Sequence, residues 1–238
     1  MQKFSELLTF PNVFENFDPT TPELVVSAEK QVKMKGQWHE YYFKNSRPIT
    51  LELACGRAEY SLALAERHPE RNYIGIDIKG ARIWKGARKA LEDSLKNVAF
   101  LRTKIEFCSL FFEKDEVDET WITFPDPFLK SKKYNRRLTS PNFLSRYRQF
   151  LRSKGIIHLK TDSEELFEHT MEVLMEQKHM IHRVSTDVYG EKELPHPDLD
   201  IKTYYERMHL AKGKTIKYLQ FSLNPSSSLH QNDSSPVL

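Results

Sequence analysis

The chain has 238 residues, 39% apolar and 29% charged, with a formal net charge of +3. That length suits one α/β domain able to bury a sizeable core, and the composition predicts a soluble globular protein. No apolar run is long enough to span a bilayer, Met1-Gln-Lys-Phe4 lacks the apolar core of a secretory leader, and Cys55 and Cys108 make no disulfide framework and no CxxC pair, so a reduced, cytoplasmic protein is expected.

Residues 1 to about 26 are short apolar pieces broken by Pro11, Pro19 and Pro22, and read as an irregular arm. Residues 26–44 read as an amphipathic helix with Lys30, Lys33 and Lys35 on its polar side. From Ile49 strands and helices alternate. Strands are expected at 49–54, 73–78, 98–102, 119–124, 155–160, 180–187 and 215–223. Helices are expected at 58–68, 82–95, 105–112, 142–153 and from Ser163, with Glu164 and Glu165 favourable in the first turn, to about 178. The organisation is thus an N-terminal arm and helix (1–48), one domain (49–223) and a Ser- and Pro-rich tail (224–238) of disordered composition.

Such alternation predicts an α/β fold, a parallel sheet with helices on both faces. Ligands of these sheets sit beyond the carboxyl ends of the strands. Polar candidates fall there: Cys55-Gly56, Asp77, Asp126 and Thr161-Asp162.

Leu51-Glu-Leu-Ala-Cys-Gly-Arg-Ala58 joins a strand to a helix. Only Gly56 is glycine; Ala54 and Ala58 stand where glycine is usual in a dinucleotide turn. Glu52, within the strand, disfavours a phosphate but suits a donor with a cationic centre. S-adenosylmethionine is such a ligand, and Asp77, twenty-one residues after Gly56, is placed to accept from ribose hydroxyls. Cys55 reads as a packing residue. Ordinary strand-end charges are the alternative for Glu52 and Asp77.

Trp121-Ile-Thr-Phe124 leads into Pro125-Asp126-Pro127. The prolines fix φ on both sides of Asp126 and bias Phe124 and Asp126 to extended geometry. Residues 127–154 then carry nine Lys or Arg and no Asp or Glu, while the nearby acidic cluster 113–119 offsets part of that charge, so that local fields guide an anionic partner. A lone carboxylate at the mouth of a basic run suggests chemistry on a polyanion. A turn followed by a solvated basic face is the alternative. Lys130, Lys132, Lys133, Arg136 and Arg137 suit phosphates, and Tyr134 suits stacking on a base. Arg82, Lys85, Arg88 and Lys89 form a second candidate patch. The histidines form no HExxH, His179 and His182 are an isolated pair, and no metal is assigned.

On the segments Phe124-Pro-Asp-Pro-Phe-Leu-Lys130 with Arg136-Arg137, Thr161-Asp162 and Thr203-Tyr-Tyr-Glu206, the chain resembles the bacterial tRNA (guanine-N7)-methyltransferases over about residues 49–223. The resemblance implies a Rossmann-like class I methyltransferase with a seven-stranded, mostly parallel sheet whose last strand is antiparallel. It implies methyl transfer from S-adenosylmethionine to N7 of guanosine 46 in the tRNA variable loop. It also implies that Glu52, Gly56, Asp77 and Asp126 line the cofactor site and that Asp126 is catalytic. Lys130, Asp162, Thr203, Tyr204, Tyr205 and Glu206 would face the tRNA guanine. For Asp162 a helix N-cap stays open as the alternative. Three departures stand out: Phe128 replaces the family's usual Trp, Ala54 and Ala58 replace glycines, and Lys104 stands where Asp or Asn commonly lies near adenine, so that contact is not carried over. A nicotinamide-dependent dehydrogenase and a non-catalytic RNA-binding module remain as other readings, the first weakened by the single glycine and Glu52.

Overall fold

A computed structural model describes residues 6–28 and 30–225. Residues 226–238 of the expected tail lie outside the described residues. In chain order the elements are β1 (Val13–Glu15), β2 (Glu23–Ser27), β3 (Lys30–Lys33), a π-helical turn (Trp38–Phe43), β4 (Ile49–Leu53), α1 (Glu59–Arg67), β5 (Asn72–Asp77), α2 (Gly80–Glu92), β6 (Val98–Arg102), a 3-10 turn (Ile105–Leu110) and β7 (Val117–Thr123). A second 3-10 turn (Ser131–Arg136), α3 (Pro141–Tyr147), β8 (Leu151–Thr161), α4 (Glu164–Glu176), β9 (Met180–Ser185), a third 3-10 turn (Pro197–Asp200), α5 (Tyr204–Ala211) and β10 (Lys217–Ser222) complete it.

Among the described residues ten strands form one sheet in the order β3-β2-β1-β6-β5-β4-β7-β8-β10-β9. From β1 to β8 every neighbour is parallel, and β10 is antiparallel to both β8 and β9. The seven expected strands are β4 to β10. The other three come from the segment expected as an irregular arm and a helix.

β1 lies parallel to β6, with Val13 opposite Phe100, and Glu15 accepts from Arg102 at 2.8 Å. Three residues carry too little periodicity to be read as a strand. β2 and β3 form an antiparallel hairpin, favoured by β-branched Val25, Val26 and Val32. The expected helix 26–44 therefore shrinks to the turn Trp38–Phe43. Trp38 is fully buried, donates its indole N–H to the Phe111 carbonyl at 2.8 Å, and anchors that turn against Phe112. The expected helix 142–153 ends at Tyr147, because Leu151 pairs with Val117 and begins an eleven-residue strand. α5 was not foreseen as a helix, although Thr203 and Glu206 are the two ends of a capping box.

Strands buried on both sides read as near-continuous apolar runs, and β4 and β5 are buried at every position. One face packs Leu51, Leu53, Ile74 and Ile122 on Trp38, Phe112 and Leu166. The other packs Tyr73, Phe100 and Trp121 on Tyr60, Leu64, Ala87 and Tyr218. Crossovers run one way from β4 to β5 and β6, and the other way from β7 to β8. The carboxyl ends of β4 and β7 thus flank the switch point where α/β sheets open a crevice.

Gly86 lets α2 approach that point. A Cβ there would lie 2.7 Å from the Arg57 carbonyl oxygen and 2.9 Å from the Ala58 Cβ. The first contact is backbone and cannot swing aside. Gly86→Ala is expected to lower stability by about 1–3 kcal/mol, read as a lower urea midpoint at unchanged m-value.

Candidate active site

The turn after β4 has a glycine-like backbone without the glycines. Ala54, Gly56 and Ala58 have φ of 58°, 58° and 56°, a region that costs an L-residue with a Cβ roughly 1–2 kcal/mol. Hydrogen bonds hold it there: Cys55 N–H donates to the Ile76 carbonyl (3.0 Å), Ala58 N–H to the Cys55 carbonyl (2.7 Å) and Gly56 N–H to Asp77 (2.9 Å). A Cβ on Gly56 would meet nothing nearer than 4.0 Å, so a ligand can approach its backbone. Asp77 ends β5 and accepts from Gly56 N–H on one oxygen and from Lys79 N–H (2.8 Å) on the other. Its carboxylate is fixed at the floor of the crevice. Cys55 is buried and packs toward Gly75, as expected of a packing residue.

Glu52 lies deeper. It is 3% exposed and accepts from Ser61 N–H (2.8 Å), the Ser61 hydroxyl and the Thr123 hydroxyl (3.0 Å). Burial pushes its carboxyl up to about 7, against those hydrogen bonds, and Asp77 adds to the rise. Glu52 and Asp126 border different cavities. Glu52, Gly56 and Tyr204 line a small one of about 60 Å³. Asp77, Lys104 and Asp126 line a cleft of about 370 Å³. Asp126, Asp162 and Tyr205 line an outer cavity of about 650 Å³. Phe124 and Arg82 border all three.

The Asp126 loop departs from the expected extended geometry. Phe124 has φ 49° and Phe128 φ 43°, both left-handed, a conformation that persists where surroundings over-determine it. Phe124 N–H continues the sheet to the Lys160 carbonyl at 2.8 Å, and its ring lies parallel to His209. At the other end Arg137, expected to bind phosphate, is 1% exposed and faces inward. Its guanidinium donates to the carbonyls of Pro127 (2.8 Å), Glu165 (3.3 Å) and Phe128 (3.4 Å). Asp126, between these fixed ends, is exposed and has no hydrogen bond or ion pair to another described residue.

The guanine-facing candidates separate. Asp162 borders the outer cavity and is held by Lys214 (2.5 Å), with His209 Nδ1 3.2 Å away. Ser163, not Asp162, caps α4 by accepting from Leu166 N–H. Tyr204 and Tyr205 are 43% and 42% exposed, and Tyr204 stacks on Arg57 at 5.2 Å. Thr203 is spent as the N-cap of α5. Glu206 cannot face a base: it is fully buried, pairs with fully buried Lys160 at 2.8 Å and accepts from Tyr189. Burial draws the Lys160 ammonium below its ordinary range, while Glu206 favours its charge. Lys130 is exposed at the start of the 3-10 turn Ser131–Arg136 and borders none of these three cavities. Tyr134 already has Arg137 over its ring at 3.9 Å. Arg136 stacks on Phe128 and borders the cleft.

Of the second patch, Arg88 and Lys89 pair with Glu92 and Asp93 one turn on, and only Arg82 reaches the cavities. Phe124 had no role of its own among the expectations; its position before Pro125 at the end of β7 was the available signal. No group of three His, Cys, Asp or Glu among the described residues could hold a metal ion, and none of their helices is long and apolar enough to cross a membrane.

Comparison with known proteins adds sequence kinship to this geometry. A family described as "Putative methyltransferase" matches residues 46–219. A tRNA (guanine-N(7)-)-methyltransferase of Christiangramia forsetii is 44% identical over 94% of this chain and 97% of its own. One of Bacteroides fragilis is 45% identical over 98% of this chain and 89% of its own. Among solved structures, the 16S rRNA methyltransferase KamB matches with a TM-score of 0.60 at 13% identity, covering 83% of this chain and 97% of that one. A 16S rRNA (adenine(1408)-N(1))-methyltransferase of Catenulisporales acidiphilia, solved with cosubstrate SAM, matches at 0.57 and 17%, covering 84% and 97%. At such identities the structures speak for the fold alone.

Two measurements test the site's construction. Between about pH 4.5 and 7 folded Glu52 keeps a proton that the unfolded chain has released, so stability falls as pH rises through that window and is level above it. Glu52→Gln is expected to remove that component, seen in urea midpoints at about pH 5 and about pH 7. Arg137→Lys is expected to cost about 1–3 kcal/mol, since one ammonium cannot serve the carbonyls spanned by the guanidinium, and to speed amide exchange within residues 124–128.

Proposed function

The chain belongs to the tRNA (guanine-N(7)-)-methyltransferase family, and from that premise we propose that it transfers a methyl group from S-adenosylmethionine to N7 of guanosine 46 in the variable loop of tRNA. The observation that carries the reading is Asp126. It is an unpaired carboxylate on a braced loop, bordering both the cleft that contains Asp77 and the outer cavity that contains Asp162.

The residues fit the donor. Gly56 leaves backbone open to a ligand. Asp77 is oriented to accept from ribose hydroxyls, while Glu52 gives a cationic centre a partner nearby. The cleft is also bordered by Lys104 and Ile105, whose backbone suits an adenine edge. When bound, S-adenosylmethionine supplies an electrophilic methyl on a positively charged sulfur.

The chain's own work is then placement and charge. Guanine N7 has an in-plane lone pair and no proton, so no general base is needed. Positive charge grows on the purine as it is alkylated. Asp126 stabilises that charge from a fixed position, which is electrostatic catalysis. Asp126 and Asp162 are also acceptors suited to the N1–H and N2 amino group of guanine, edges that adenine lacks in this form. Tyr205, exposed on the same cavity, offers a face for stacking. The remaining contribution is orientation of nucleophile and donor.

The reading of a module that has lost its cofactor drew on Ala54 and Ala58. Both keep the left-handed geometry of glycine, which supports a turn still able to take the donor. The family leaves no ground for the dehydrogenase.

The test is methylation of unmodified tRNA with labelled cofactor, followed by mapping of the nucleoside. 7-Methylguanosine at position 46 is the expected product, and label elsewhere refutes the assigned position. Asp126→Asn is expected to lower kcat by about 10²–10³ with cofactor affinity unchanged. Full turnover by that variant removes the role given to Asp126.

A further inference from the structure

Arg82 lies in the first turn of α2, directly after the segment that carries Asp77. It is exposed, and its guanidinium has no hydrogen bond or ion pair to another described residue. Two other cations of that helix are engaged. Arg88 donates to Glu92 at 2.8 Å and lies over the Trp84 ring, and Lys89 donates to Asp93 at 2.6 Å. Among the described residues only Arg82 and Phe124 border the cleft, the small cavity and the outer cavity alike. An unengaged guanidinium therefore stands where the donor side meets the acceptor side.

The chemistry around it selects an anion on the acceptor side. The outer cavity is rich in carboxylates: Asp126, Asp162, Glu164 and Glu165. Its one lysine, Lys214, is committed to Asp162, and the His209 ring lies against that same carboxylate. A purine can enter beside such carboxylates, but the phosphates attached to its sugar cannot rest against them. They need a cation at the rim, and Arg82 has all its donors available. The carboxylate of the donor's amino acid portion has a nearer candidate. Arg57, in the small cavity with Glu52 and Gly56, also has no ion pair to another described residue and is stacked on Tyr204.

Building on the proposed tRNA methylation, we infer that Arg82 grips a phosphate flanking the target guanosine and so seats that nucleotide between Asp126 and the donor. The planar guanidinium matches two phosphate oxygens at once, which an ammonium does not. Arg82 is a substrate-positioning residue in this role. It takes no part in cofactor binding.

The experiment compares wild type, Arg82→Gln, Arg82→Lys and Arg88→Gln on unmodified tRNA at several salt concentrations, with cofactor affinity measured calorimetrically. Thermal melts check that each variant folds, as expected for an exposed side chain. Arg82→Gln is expected to raise KM for tRNA roughly tenfold, the scale of one charge-assisted contact, with kcat changed far less. Its log–log salt slope should be shallower by roughly 0.7–0.9, one phosphate's worth. Arg82→Lys should regain the slope and only part of the KM. Arg88→Gln, already held by Glu92, should leave the slope unaltered. An unchanged KM and slope in Arg82→Gln overturns the assignment, and so does a loss of cofactor affinity with tRNA binding intact. If wild type itself transfers no methyl to tRNA, it is the proposed function that fails, and S-adenosylmethionine calorimetry with that same protein shows whether the donor site survives.

Discussion

The candidate site depends on a guanidinium that borders none of its cavities. Arg137 is buried and spans carbonyls from Pro127, Phe128 and Glu165, tying the Asp126 loop to the start of α4. Two left-handed phenylalanines bracket that loop, and strained backbone survives only when its surroundings leave no alternative. Arg137 supplies that restraint at one end. The strand bond from Phe124 to Lys160 supplies it at the other. In the role proposed for Asp126, a carboxylate that meets a growing positive charge works only if it need not reorganise. Asp126 can therefore be exposed and still be preorganised.

A second buried cation steadies the opposite wall. Lys160 is fully enclosed and donates to Glu206 and to the carbonyls of Leu199 and Ile201. Glu206 closes a capping box with Thr203. The two tyrosines between them are thus presented to the cavities by a helix start that is locked to the sheet. A buried ion pair is a poor source of net stability but an effective way to fix one arrangement over others. The same pattern serves both walls: charge is buried to hold the backbone, and Asp126 and Tyr205, the residues proposed to meet the substrate, are left exposed.

Glu52 illustrates how position changes chemistry. On paper it is a second anion for the donor. In the folded chain it is enclosed, shared among Ser61 and Thr123, and protonated up to about pH 7. A cation arriving beside it would favour the charged form, so in the proposed cofactor role its charge would follow occupancy of the site.

The chain alone determined the layered α/β fold, the seven strands from β4 onward and the grouping of Gly56, Asp77, Asp126 and Asp162 at one end of the sheet. Apolar runs, turn residues and the rule that ligands lie beyond strand carboxyl ends are local or topological, and such information is written in order along the sequence. The N-terminal strands were not legible, because β1 is three residues long and exists only by pairing with β6. Nor was the division of labour among charged side chains. Arg137 and Glu206 look like substrate contacts in the sequence, and Arg82 looks like one of four cations on a solvated helix. Whether such a group faces a ligand or a carbonyl depends on which partners the tertiary structure brings within reach, and those partners are distant in the chain: Glu165 for Arg137, Lys160 for Glu206, and for Arg82 no partner at all among the described residues.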